Sequence, residues 1–435
     1  MIQKNIDSAV ENIDQDIKCI YYGNPVFWIM ILFIEMIFIG TGSLNNILSM
    51  IVAILLFYFY VVKEEKVFVT VILLFANDAL GTMLGFVAVK YLSLLFIVIE
   101  LITGNTRIIR KALPIGVFMI YMIAQPFITG LDDTNALLST LLPFLILIML
   151  YGNDDKDNFL QKFAEGSTII ISLLALHAVL TGGYAMYEDS MITGYIRKGI
   201  LGVGDANFSC LILCTGIVCA INCVFYTKII KISTVLVMIG AVSTTLSVAG
   251  FLSTCMVFLM SLLLYNNLNK KLRNALLGIF AMIVIVFIIT LLPKTGYLSN
   301  VSLYMDRLME KYNAFLSGNI AELTTGRSSI SENYISFIGE QDLGKLLIGG
   351  NNLLQFQNVP HNTYIDFIIQ FGLIGLFIVI GVSIRKLIMV SYSCKILENA
   401  KICVSLKVLF LFFIASISVY HGTAFVLMLF VLLVI

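Results

Sequence analysis

The sequence predicts an all-α polytopic membrane protein, with 12–14 transmembrane helices and one large extracytoplasmic loop carrying amphipathic helices. Three observations predict it. Sixty per cent of the 435 residues are apolar and only 12% are charged, whereas a soluble domain is roughly half apolar and about a quarter charged. Apolar runs of about 20 residues, the length that spans a bilayer's hydrocarbon, recur from residue 26 onward. One polar island, residues 293–362, interrupts them. A membrane β-barrel would instead alternate in segments of about ten residues. A net charge of +1 gives no reason to expect nucleic acid as a partner.

Residues 1–24 carry more acid than base and lack the pattern of a signal peptide. Ile6, Val10, Ile13, Ile17 and Ile20 recur at helical spacing, which predicts a short amphipathic helix on the cytoplasmic face. Spans follow at 25–41, 45–62, 67–86, 89–103, 112–129, 136–151, 164–182, 206–226, 229–247, 249–265 and 274–292. After the island come spans at 363–384, 402–419 and 421–435. The chain thus divides into a cytoplasmic segment (1–24), an N-terminal bundle (25–292), the external loop (293–362) and a C-terminal bundle (363–435).

With the N-terminus inside, 19 of the 27 basic residues fall on the cytoplasmic side, Lys401 and Lys407 among them. Lys90, Arg197, Lys198, Lys294, Arg307, Lys311, Arg327 and Lys345 face out. That asymmetry satisfies the positive-inside rule and makes the island extracytoplasmic. An external site sees neither ATP nor nucleotide sugars, so a synthetic reaction there needs a donor already carried across the membrane. Lipid-pyrophosphate-linked sugars are donors of that kind.

The eight cysteines form no CxxC pair, and none lies in the island. They read as small packing residues, and no metal, cofactor or disulfide framework is expected.

Four outward features stand out: Arg197 to Asn207; Thr325-Gly326-Arg327; Gly349-Gly350; and His361-Asn362-Thr363-Tyr364-Ile365-Asp366, leading to Gly372-Leu373-Ile374-Gly375. In this order they resemble the O-antigen polymerase and ligase superfamily, the Wzy-type polymerases and their ligase relatives. The resemblance covers about residues 195–380. Two family features are absent: a Ser-Arg pair where this chain reads Thr244 to Gly250, and a tryptophan after the TGR turn. The resemblance implies a multi-span lipid-donor glycosyltransferase in a bacterial cytoplasmic (inner) membrane. Its substrate would be an undecaprenyl-pyrophosphate-linked oligosaccharide, with a chain-length regulator and a flippase as partners besides the lipid bilayer. The product would be capsular polysaccharide, exopolysaccharide or O-antigen.

The chemistry suits these residue types. Joining lipid-linked sugars means attacking an anomeric carbon and expelling a lipid pyrophosphate. Guanidinium binds phosphate oxygens bidentately and stays charged, which nominates Arg327, then Arg197, with Arg307 as a further donor-binding cation. His361 is suited to take the acceptor's proton, because imidazole titrates near neutral pH. The bland readings stand beside these: Arg327 paired with Glu322 or Glu332, Arg197 as a loop charge, and His361 as a structural loop residue. Asn207 and Asn362 read as helix caps or ligands, and Gly349-Gly350 reads as a turn. Ile330, Tyr334, Phe337 and Ile338 predict a helix over 328–340, lying on the bilayer or roofing a cavity. Intramembrane polar residues are costly and often functional. Glu35 and Asp78, with Asn207, Asn362 and Tyr364, are candidates to line an external cavity; Asn77, Glu100 and His177 are weaker ones.

The function expected is therefore a metal-independent polymerase of lipid-linked repeat units. One alternative is an O-antigen ligase, which differs in its acceptor, lipid A core. The abundance of Ile, Lys, Asn and Phe fits an AT-rich genome, common among bacteria that lack lipid A, and favours the polymerase. Other classes are a lipid-linked sugar flippase, for which no internal repeat is seen, and a scaffold.

Overall fold

The computed structural model describes residues 44–62, 65–75, 86–102, 113–129, 156–181, 184–185, 198–200, 206–245, 247–263, 306, 309–319, 327–350, 361–393, 397–415 and 427–435. The expected segment at 1–24 and the expected spans at 25–41, 136–151 and 274–292 lie outside them.

The described chain is mostly helical. In order come α1 (Leu44–Val61), α2 (Lys66–Phe75), α3 (Phe86–Ile102), α4 (Leu113–Thr129) and α5 (Lys156–Thr181). A two-residue antiparallel pair, β1 (Tyr184–Ala185) with β2 (Lys198–Gly199), then leads into α6 (Ala206–Asn222), α7 (Lys228–Thr244) and α8 (Val248–Leu263). In the polar island lie α9 (309–316), α10 (Arg327–Gly339) and α11 (Leu343–Ile348). Last come α12 (Thr363–Ser393), α13 (Leu397–Phe413) and a π-helical turn, Phe430–Val434.

These helices stand where the apolar runs predict, and the ends differ for local reasons. α5 starts eight residues before the expected 164 because Phe159, Leu160 and Phe163 carry its buried face through a polar stretch. Two segments, Asn158–Leu180 and Thr363–Met389, are long and apolar enough to cross a membrane.

α6 occupies the centre. Nearly every side chain from Ala206 to Asn222 is buried, as expected of a helix that is apolar all round. It packs against α5, α7, α8 and α13. At one end of this group, Gln161 donates to Asn399 Oδ1 (2.6 Å) and accepts from the Val224 N–H (2.8 Å). Those two bonds tie the start of α5 to the end of α6 and the start of α13, so α13 runs antiparallel to α6. The C-terminal end of α13 therefore shares a level with the start of α6. There the Thr363 N–H donates to the Ile414 carbonyl (2.9 Å), which sets the start of α12 at the same end. Each helix terminus satisfies a group that the other would leave bare.

Two basic residues of α13 are buried. Lys401, counted with the cytoplasmic charges, is buried and lies 3.6 Å from Glu398. Lys407 has no exposed surface at all, and its Nζ donates to the carbonyls of Val431 (2.8 Å) and Leu432 (3.1 Å). The π-turn presents those carbonyls to the lysine. Phe430, at its start, packs against Phe163 and Phe159 of α5.

Candidate functional site

Two helices of the polar island, α10 and α11, pack on α12. α10 spans nearly the predicted 328–340, and its apolar spacing serves helix packing. Ile330, Tyr334 and Ile338 pack against Ile365 and Ile369 in the first turns of α12, with Tyr334 almost wholly buried. Arg327 is the first residue of α10. The next helix, α11, is capped by Asp342, whose carboxylate accepts from the Lys345 N–H (2.9 Å).

α11 ends inside a break in α12. Gly349 (φ 79°) and Gly350 (φ 93°) end α11 with positive φ, and Gly372 (φ 64°, ψ −177°) interrupts α12 opposite them. Positive φ is costly for any residue with a Cβ, and here the steric argument is as strong. A Cβ on Gly372 would overlap the Leu347 carbonyl oxygen, and one on Gly349 would overlap the Gly372 nitrogen. The Gly350 N–H donates to the Gln370 carbonyl (2.9 Å).

Carbonyls freed by the break are claimed from α4. The Tyr121 hydroxyl reaches the carbonyls of Ile348 (2.8 Å) and Phe371, and the Gln125 amide donates to those of Ile348 (3.2 Å) and Gln370. Gly372 lies nine residues into α12, about 13 Å along its axis at 1.5 Å per residue. The end of α11 thus lies beside α12 at about that distance from its start.

The start of α12 is built with equal care. Asn362 is the cap: its Oδ1 accepts from the N–H groups of Tyr364 (3.0 Å) and Ile365 (3.4 Å). The Tyr364 hydroxyl donates to the Leu411 carbonyl (2.8 Å), fastening α12 to α13. His361, half-buried, immediately precedes the cap at φ 51°, the one positive φ outside glycine among the described residues. Such a backbone costs on the order of 1–3 kcal/mol and clusters at functional sites. Asp366, one turn into α12, is buried near a helix end that favours anions.

On the α6 side, the Ile200 N–H donates to Ser209 Oγ (3.1 Å), which anchors the strand after Arg197 to the central helix. Asn207 is buried and accepts from Ser247 Oγ (2.8 Å), while that same oxygen caps α8 by accepting from the Gly250 N–H (3.0 Å). Asn207 therefore joins α6 to the turn before α8.

Of the residues nominated from sequence, His361, Asn362 and Tyr364 come together at the start of α12, with Arg327 opening the helix packed on it. Asn207 stands at the same end of the bundle, on α6. Arg197, Arg307, Glu35 and Asp78 lie outside the described residues. Glu100 is buried, accepting from the Tyr60 hydroxyl (3.2 Å) and lying 2.5 Å from Lys66 Nζ, a structural pairing. Cys210, Cys214, Cys219 and Cys223 are all buried in helix contacts. Among the described residues, no group of three His, Cys, Asp or Glu side chains is arranged to hold a metal ion. Tyr121 and Gln125 are not singled out by motif or spacing; Asp366 closes the His361–Asp366 motif and Ser247 lies in the Thr244–Gly250 stretch, but neither is given a role from sequence.

No family model, no curated protein and no solved structure matches this chain. His361 lies half-buried at a positive φ before the cap of α12, and α10, which begins at Arg327, packs on Ile365 and Ile369 of that helix.

Proposed function

We propose that this protein is an integral-membrane glycosyltransferase that polymerises undecaprenyl-pyrophosphate-linked oligosaccharide units on the outer face of a bacterial cytoplasmic membrane. The observation that carries the reading is the seating of α10, which begins at Arg327, on the first turns of α12, directly after His361. Two motifs separated by 34 positions in sequence are thereby built on one packed unit.

In this reading Arg327 binds the donor pyrophosphate and stabilises the charge that grows on it as the anomeric bond breaks. A well-aimed donor is worth about 3–4 kcal/mol in such a step. His361 Nδ1 or Nε2 takes the proton from the acceptor hydroxyl as its oxygen attacks the anomeric carbon. The lipid pyrophosphate leaves, and the growing chain stays on the other lipid. Arg197 and Arg307 are further donor-binding candidates. Asn362 acts through the helix it caps.

Reconstitution in liposomes with lipid-linked repeat units and EDTA tests this. A ladder of products that disappears in Arg327→Ala and His361→Ala supports it. A flippase is the second reading, favoured by the break at Gly372, since discontinuous helices often line transport sites. It predicts substrate crossing the bilayer without a ladder. A ligase predicts one transfer to lipid A core and no ladder.

A further inference from the structure

The break in α12 is closed by its neighbours. Gln370 O accepts from the Gly350 N–H and the Gln125 amide, Phe371 O accepts from the Tyr121 hydroxyl, and Ile348 O is shared by Tyr121 and Gln125. These bonds join α4 to residues some 220–250 positions away in the chain. The Phe118 ring of α4 also packs on Phe367 and Phe371, immediately before the break. A Cβ on Gly375, the next glycine of α12, would lie 3.2 Å from the Tyr121 ring. α4 therefore grips both lips of the break and the tip of α11 between them.

We propose that Tyr121 and Gln125 are positioning residues that lock α11 and the Gly349-Gly350 turn into the broken helix, and so hold the preceding helix α10 in its donor-binding place. This rests on the polymerase reading above. The connection is covalent and short: only Glu340, Gln341 and Asp342 separate α10 from α11. When α11 leaves its slot, α10 loses one of its two anchors, the other being Ile365 and Ile369.

The kinetic consequence has a definite sign. If the lock is weakened, only a fraction of molecules holds α10 in place, and the apparent donor affinity falls by that fraction. Saturating donor restores the competent state, so the maximal rate changes little. A residue touching the reacting atoms would lower the maximal rate instead.

The test uses the full chain in lipid nanodiscs, comparing wild type with Tyr121→Phe, which removes a single oxygen, and with Tyr121→Phe/Gln125→Leu. Amide exchange should quicken at least tenfold over 343–350 and 370–375 in the double variant and stay unchanged over 397–413. Binding of polyprenyl pyrophosphate should weaken at least fivefold. The donor KM of the ladder reaction should rise by the same factor, while kcat stays within twofold of wild type. Unchanged exchange would overturn the lock. Faster exchange with unaltered lipid-pyrophosphate binding, or a loss carried by kcat, would overturn its role in positioning. A wild type that binds polyprenyl pyrophosphate but makes no ladder would defeat the polymerase reading, while the exchange and binding results would still decide the lock.

Discussion

The backbones of Gly349 and Gly372 touch, so closely that neither position has room for a side chain. One glycine belongs to the polar island and the other to a long apolar helix. Their contact turns a surface loop into a wedge within the helical body and orders the segment that carries Arg327. Gly372→Ala should therefore cost about 3 kcal/mol or more, combining a positive φ with a clash against the Leu347 carbonyl oxygen. Gly381→Ala lies in the same helix, where an added methyl would meet nothing within 4 Å, and should be neutral or stabilising by up to about 1 kcal/mol. Thermal midpoints in detergent check the pair.

His361 sits at φ 51°, so glycine there relieves strain. His361→Gly should raise the thermal midpoint by the equivalent of about 1 kcal/mol while lowering polymerisation by about a hundredfold or more. Loss of both stability and activity would make the histidine a structural residue.

Asn362 acts as a cap through two backbone N–H groups. Asn362→Ala should cost about 1 kcal/mol, and Asn362→Asp or Asn362→Ser should restore most of it together with normal activity. A stable Asn362→Asp variant without activity would instead make the amide a ligand.

Helix placement is legible in the sequence because apolar runs of bilayer length leave few other arrangements, and α10 is legible from the spacing of Ile330, Tyr334 and Ile338. The break is not. Gly372 is visible within a glycine-containing motif, but its partners, Tyr121 and Gln125, lie some 250 residues upstream, in a span that reads as plain apolar helix. Nothing local in the sequence marks a histidine for positive φ. Lys407 reads as a charge at the cytoplasmic side of the span at 402–419 because hydropathy cannot see the carbonyls of Val431 and Leu432 that receive it. Asn362 and Asn207 are legible as polar residues near helix starts, and the structure separates their roles: one caps α12, and the other joins α6 to Ser247.

The Ser247 hydroxyl oxygen links the cap of α8 to Asn207 in a buried setting. Ser247→Ala should destabilise by about 1–3 kcal/mol through the acceptor left on Asn207 and the lost cap. Asn207→Ala should give a smaller loss, because the serine keeps its capping bond. Equal effects in a double-mutant comparison would contradict that division.

The central claim is that Arg327 and His361 act on a lipid-pyrophosphate donor. The most direct measurement is lipid-pyrophosphate release in step with chain growth, in proteoliposomes of wild type, Arg327→Lys, Arg327→Ala and His361→Gly. Release matching each bond made, reduced about a hundredfold by either arginine change and by about a hundredfold or more in a stable His361→Gly protein, is the result this account predicts. Chain growth that survives Arg327→Ala and His361→Gly together would contradict it.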